Sequence, residues 1–188
     1  MVSDERLMER VKSGDAEAFD ALWQRHGKAI FNFIYRFVGD RQEAEDLTQE
    51  TFVRVLQNAP SFNSHQRWTT WVYHIATNLC IDTHRKAQHR QAVSLDECLG
   101  EDDQTLGDIL PDPQANTEEM AQQRALRRDI RRAIRALPME QRMVVLLSQY
   151  QGMTYQEIAE VMGCPLGTVK SRMHHALKAL RAALKEWM

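Results

Sequence analysis

A chain of 188 residues, 43% of them hydrophobic and 27% charged, has the size of one ordinary globular domain or of two small ones. No apolar run approaches the roughly 20 residues that span a bilayer, and the opening MVSDERLMERVK lacks the apolar centre of a secretory signal, so a cytoplasmic protein without direct membrane insertion is expected. Cys80, Cys98 and Cys164 lie far apart and form no CxxC pair, which argues against a disulfide framework or a closed zinc site.

The net charge of −2 conceals a division along the chain. Residues 1–88 hold 11 Lys plus Arg against 12 Asp plus Glu, residues 89–117 hold 1 against 7, and residues 118–188 hold 12 against 7, giving balances of −1, −6 and +5. An all-α protein is expected, with two small helical domains at 1–88 and 118–188.

In the first domain, Ser3 is placed to cap a short helix ending near Ser13 and Gly14. After Asp15 a longer helix puts Phe19, Leu22, Trp23, His26, Ile30, Phe33, Ile34 and Phe37 on one broad stripe, and Gly39 closes it. A third helix, RQEAEDLTQETFVRVLQN, buries Ala44, Leu47, Thr51, Phe52, Val55 and Leu56 and sets Glu43, Asp46 and Glu50 on the opposite face. A fourth, from about Trp68 to Lys86, carries Trp71, Ile75, Leu79 and Asp82 in register, with Arg85 and Lys86 in its last turn. The block 89–117 contains Gly100, Gly107, Pro111 and Pro113 with few large apolar residues, and reads as an acidic flexible linker.

The second domain begins with a helix from about Glu118 to Leu137 bearing Arg124, Arg127, Arg128, Arg131, Arg132 and Arg135. Further on, Thr154 and Glu157 have the capping-box spacing, opening a helix through Ile158, Ala159 and Met162. Gly163 suits the left-handed position that ends it, and Pro165 suits the first turn of another helix, in which Leu166, Val169, Met173, Ala176, Leu177 and Leu180 form the inner stripe. This is the pattern of a helix-turn-helix whose second helix turns Gly167, Thr168, Lys170, Ser171, His174, His175 and Lys178 outward, a small and basic surface suited to a major groove.

The stretches EAEDLTQETFVRVLQ, TTWVYHIATNLCIDTHRK and LPMEQRMVVLLSQYQGMTYQEIAEVMGCPLGTVKSRMHHAL, with the ALRAAL ending, together resemble the bacterial extracytoplasmic-function sigma factors, compact sigma factors with only the second and fourth conserved regions. The resemblance implies an alternative sigma factor that binds core RNA polymerase, directs it to specific promoters and helps melt them. It implies docking of Glu45, Asp46, Gln49, Glu50 and Arg54 on the clamp helices of the largest subunit, and of the fourth region on the flap of the second-largest subunit. The loop SFNSHQR and the helix after it resemble the part that reads the minus-ten element: Phe62, Asn63, Ser64 and Arg67 in the loop, then Trp68, Thr69, Trp71, His74, Asn78, Arg85 and Lys86. Capture of an extruded base falls to the loop, and a wedge or stacking role to Trp68. Thr168, Lys170, Ser171, Arg172, His174 and His175 are expected at the minus-thirty-five element, although the family often has Arg where His175 stands. The acidic linker resembles the segment that threads the polymerase cleft, and the family resemblance also implies an anti-sigma partner.

No nucleotide loop, metal quartet or Ser-His-Asp pattern is present, so neither an enzyme nor a cofactor is expected. The alternatives are a stand-alone helix-turn-helix regulator, or a metal-responsive one using Cys80 and His84 at i and i+4 with His89 and Cys98.

Overall fold

The first three helices begin where a side-chain oxygen meets otherwise unpaired backbone N–H groups. Ser3 accepts from the N–H of Arg6 (3.4 Å) at the start of α1 (Asp4–Lys12), Asp15 from Ala18 (3.1 Å) at α2 (Ala16–Val38), and Asp40 from Glu43 (2.7 Å) at α3 (Arg41–Gln57). Gly39 ends α2 with φ 87°, a left-handed conformation that a side chain at this position disfavours. A 3-10 turn over Ala59–Ser61 and an exposed loop lead into α4 (Trp68–Val93). The computed structural model describes the backbone of residues 2–93 and 117–187, and the side chains of residues 2–88 and 121–187.

The second unit comprises α5 (Thr117–Arg135), α6 (Met139–Gln149), α7 (Tyr155–Met162) and α8 (Leu166–Ala183), and among the described residues there is no strand. Thr154 and Glu157 close a full capping box at α7, and Gly163 (φ 58°) ends that helix. Pro165 stands at the N-cap of α8, one position ahead of the first turn, and Leu166 is the first helical residue.

Met8, Leu22, Ile30, Phe33, Ile34, Phe37, Phe52, Phe62 and Trp68 fill the centre of the first unit, and Met143, Leu146, Leu147, Ile158, Val169 and Met173 that of the second. Removing each such side chain from water contributes about 1.5 to 3 kcal/mol. The two centres join into one buried apolar cluster, because α4 packs against α7 and α2 against α6. Thr77 of α4 is wholly buried with its hydroxyl 3.8 Å from the Met143 sulfur. Arg142 of α6 donates to the carbonyls of Phe37 (2.9 Å), Leu137 (3.3 Å) and Arg135, and its guanidinium lies 5.4 Å from the Phe37 ring centre. Arg36 stacks its cation 4.4 Å from the Tyr150 ring, tying the end of α2 to the end of α6.

Several positions depart from the periodicity reading. Trp23, Leu56 and Leu177 were expected inside and are partly exposed: each lies at the margin of its apolar stripe, where neighbouring helices cover only part of the side chain. Asp82 is likewise exposed. Buried positions on α4 are Trp68, Val72, Tyr73, Ala76, Thr77, Leu79 and Cys80, a wider set than the stripe through Trp71, Ile75, Leu79 and Asp82, because α4 packs on its own unit and on α7 together. The same helix continues to Val93, five residues beyond the expected domain boundary at residue 88; residues 94–116 of the expected linker lie outside the described residues, and Thr117 opens α5.

Candidate nucleic-acid and polymerase interfaces

The outer face of α3 is acidic but partly paired within the helix. Arg41 donates to Glu45 (2.9 Å), Arg54 to Glu50 (2.8 Å) and Gln42 to Asp46 (3.2 Å), all at i,i+4. Such exposed pairs are worth a few tenths of a kcal/mol and yield readily to a partner. Asp46 and Gln49 are exposed, and Glu45, Glu50 and Arg54 half-buried. Val53 is exposed on the same face and Leu56 at its edge, while Trp23 of α2 packs its ring 4.5 Å from Phe52 of α3 and stays partly open to solvent. The arrangement is an acidic, hydrogen-bonding surface with apolar ground beside it, suited to a basic helical partner.

The loop after the 3-10 turn divides into inner and outer residues. Phe62 is buried against Trp71, ring centres 5.1 Å apart, and Trp68 is wholly buried, tilted 4.4 Å from the His26 ring, with its backbone N–H donating to Glu5 (3.2 Å). Phe62 and Trp68 therefore do not stand at a surface in this structure: a helix start pressed against α1 and α2 buries its large ring. Trp71 and Thr69 are half-buried. Asn63, Ser64 and Arg67 are exposed, and the Asn63 side chain accepts from the N–H of His65 (3.0 Å), bracing the turn. Along α4, His74, Asn78, Arg85 and Lys86 are exposed.

Two of these groups already have partners in the second unit. Arg67 pairs with Glu157 of α7, and His74 donates from Nδ1 to the Val161 carbonyl (2.7 Å) while its Nε2 accepts from Asn78 (3.0 Å). A carbonyl can only accept, so Nδ1 carries a proton in this contact. Beside them the buried Tyr73 hydroxyl donates to Gln151. Glu157 divides its oxygens: Oε2 accepts from the N–H and the hydroxyl of Thr154 (2.9 Å each), and Oε1 faces Arg67.

On α8 the inner residues Val169, Met173 and Ala176 are buried, while Lys170, Ser171, His174 and His175 are exposed and Thr168 and Arg172 half-buried. Arg172 donates toward the Cys164 sulfur in the turn at 3.6 Å, and the His174 and His175 rings lie 5.6 Å apart. Positive, hydroxyl and imidazole groups thus leave one side of a helix whose other side is fixed.

Residues 22–90 match the family model for Sigma-70 region 2 and residues 127–180 that for Sigma-70, region 4. Over 97% of this chain and 94% of the other, the sequence is 34% identical to the RNA polymerase sigma-H factor of Pseudomonas aeruginosa. The chain belongs to the extracytoplasmic-function sigma factors. It is 33% identical, over 96% of each chain, to the factor SigW of Bacillus subtilis. Two solved structures share its fold: CnrH in complex with the cytosolic domain of CnrY (22% identical, 97% of each chain, TM-score 0.69), and RpoE in complex with the anti-sigma factor NepR from Bartonella quintana (23%, 90% of this chain and 98% of that one, TM-score 0.70). As a sigma factor the protein directs RNA polymerase to promoters and is not itself an enzyme.

In this sigma factor Cys80 is buried in the first unit, where burial pushes its thiol far above the ordinary range, and His84 packs its ring 6.0 Å from Phe37. Among the described residues no three His, Cys, Asp or Glu side chains gather as a metal site; Cys98 and the His89 side chain lie outside them. Nor is any helix among them long and apolar enough to cross a membrane. Sequence reasoning missed Tyr150, Gln151 and Arg142 and the outward oxygen of Glu157. The capping box pointed to Glu157, but nothing local reveals a partner 90 residues away.

Proposed function

We propose that this sigma factor docks on the clamp helices of core polymerase through Glu45, Asp46, Gln49, Glu50 and Arg54, reads a minus-ten element with Asn63, Ser64, Arg67, Thr69, His74, Asn78, Arg85 and Lys86, and reads a minus-thirty-five element with Thr168, Lys170, Ser171, Arg172, His174 and His175. The first role belongs to the unit of residues 1–88 and the last to that of 118–188. The observation that carries the reading is α8: its outer side presents Lys170, Ser171, His174 and His175 while Val169, Met173 and Ala176 are held in the core. Backbone phosphates take the positive charge and position the helix; Arg172 and Lys170 supply the base-edge donors.

The acidic segment between the units is assigned to the polymerase cleft, and the fourth region to the flap of the second-largest subunit. The protein works in the cytoplasm beside the polymerase. Because both solved neighbours with this fold are complexes, one of them with an anti-sigma factor, an anti-sigma partner is proposed here as well. Transcription from genomic DNA with core polymerase plus this protein, with start sites mapped, tests the assignment. Start sites that share upstream elements and vanish without the protein support it; specific promoter binding of equal strength with and without core would make the protein a stand-alone regulator.

A further inference from the structure

We propose that Glu5 is a positioning residue for promoter reading: from α1 it caps the start of α4 and, with Lys12, holds both ends of the loop that carries Asn63, Ser64 and Arg67. This rests on the assignment of that loop to the minus-ten element. The exposed residues 63–67 stand between two buried rings, Phe62 and Trp68. Where those rings are held fixes where the amide, hydroxyl and guanidinium groups between them can point. Both are held by α1, which packs against the 3-10 turn and α4 as well as against α2. At the exit of the loop, the backbone N–H of Trp68, the first residue of α4, donates to Glu5 Oε1 at 3.2 Å, across 63 positions of sequence. No acidic side chain lies in the first turn of α4, so the carboxylate that favours this helix start comes from α1. At the entrance, Lys12 Nζ lies 5.7 Å from the centre of the Phe62 ring. The brace is itself anchored: Asp4 accepts from Arg25 at 2.9 Å and pairs with His26 at 2.8 Å, and the His26 ring lies 4.4 Å from that of Trp68. The stretch that matches Sigma-70 region 2 starts at residue 22, so α1 stands ahead of it. Groups that recognise a ligand must be held within about 0.5 Å of their productive place by the residues behind them. For Asn63, Ser64 and Arg67 that support is α1.

The test uses the full chain with core polymerase on a promoter found by start-site mapping, in its own form and with each minus-ten base changed singly. Discrimination is the ratio of transcript initiation on the own promoter to that on the changed one. Glu5→Leu removes the acceptor, while Glu5→Gln keeps an oxygen in its place. Ile30→Val loosens the buried centre of the same unit without touching the loop, and so separates lost stability from lost positioning. Amide hydrogen exchange follows the loop and the start of α4. In Glu5→Leu the amides of residues 63–69 exchange faster and discrimination at one base falls about five- to tenfold, as when one hydrogen bond to that base is lost. Glu5→Gln and Ile30→Val keep the wild-type ratio, and all three variants bind core as the wild type does, because α3 is untouched. Where Asn63→Ala loses discrimination, full discrimination in Glu5→Leu, or an equal loss in Glu5→Gln or Ile30→Val, overturns the positioning role alone. Full discrimination in Asn63→Ala overturns the minus-ten assignment of the loop, and the positioning role falls with it.

Discussion

Glu157 has a carboxyl held below its ordinary value of 4.5, chiefly by the backbone N–H of Thr154 and further by the Thr154 hydroxyl and Arg67, against an opposing push from burial. A carboxyl depressed on folding contributes stability that is fully present above its unfolded value and is lost as pH falls through the lower, folded one. Thermal melts from about pH 6 down to about pH 3 should therefore show a loss of stability with acid that Glu157→Gln makes shallower. Phe62, Trp68 and Asn63 separate packing from reading. Trp68→Ala should cost about 3 to 5 kcal/mol in denaturant unfolding, since the ring is wholly buried. Asn63→Ala should leave stability within about 0.5 kcal/mol. It should also weaken open-complex formation and discrimination at one promoter base, on duplex and on a pre-opened bubble alike, as read by permanganate reactivity of unpaired thymines. Which aromatics are inside was poorly legible in the sequence. The apolar period of a helix gives the direction of one face, and α4 is covered from two.

At the scale of elements, α3 and α8 show two ways for a helix to keep one side for a partner. Replacing Asp46 and Glu50 by Lys should weaken core binding by roughly tenfold or more, with helicity unchanged by circular dichroism, because the inner residues Ala44, Leu47, Phe52 and Val55 are untouched. Unaltered core affinity would remove α3 as the docking surface. On α8, Lys170→Ala and Arg172→Ala should each lose about 1 to 3 kcal/mol of promoter affinity where a bidentate base contact is removed, and should flatten the salt dependence where only phosphate is touched. Footprinting over the upstream element decides between these outcomes. Elements were legible because their signals are local: Ser3 and Asp15 at starts, Gly39 and Gly163 at ends, and the Thr154 to Glu157 spacing. Pro165 was read one position too deep because both the N-cap and the first turn tolerate its missing N–H.

The whole molecule is where the sequence said least. Charge balance pointed to two units and an acidic stretch between them, but Arg142 reaching the Phe37 carbonyl and Arg36 stacking on Tyr150 connect positions more than 100 residues apart, which no periodicity encodes. The same charge balance predicts that the intact protein binds its promoter weakly alone and tightly with core. The −1 and −6 segments oppose the +5 segment on a polyanion. Electrophoretic mobility shifts at several salt concentrations, with and without core, measure this directly. The start of α7 does not depend on its contact with the first unit. The capping oxygen of Glu157 and the oxygen facing Arg67 are different atoms, so loss of the Arg67 contact would leave Thr154 bound to the other. The eight residues of α7 thus carry their own helix start, independent of Arg67. Ordering a backbone costs about 1 to 2 kcal/mol per residue, and that cost is met during folding, before any promoter is bound.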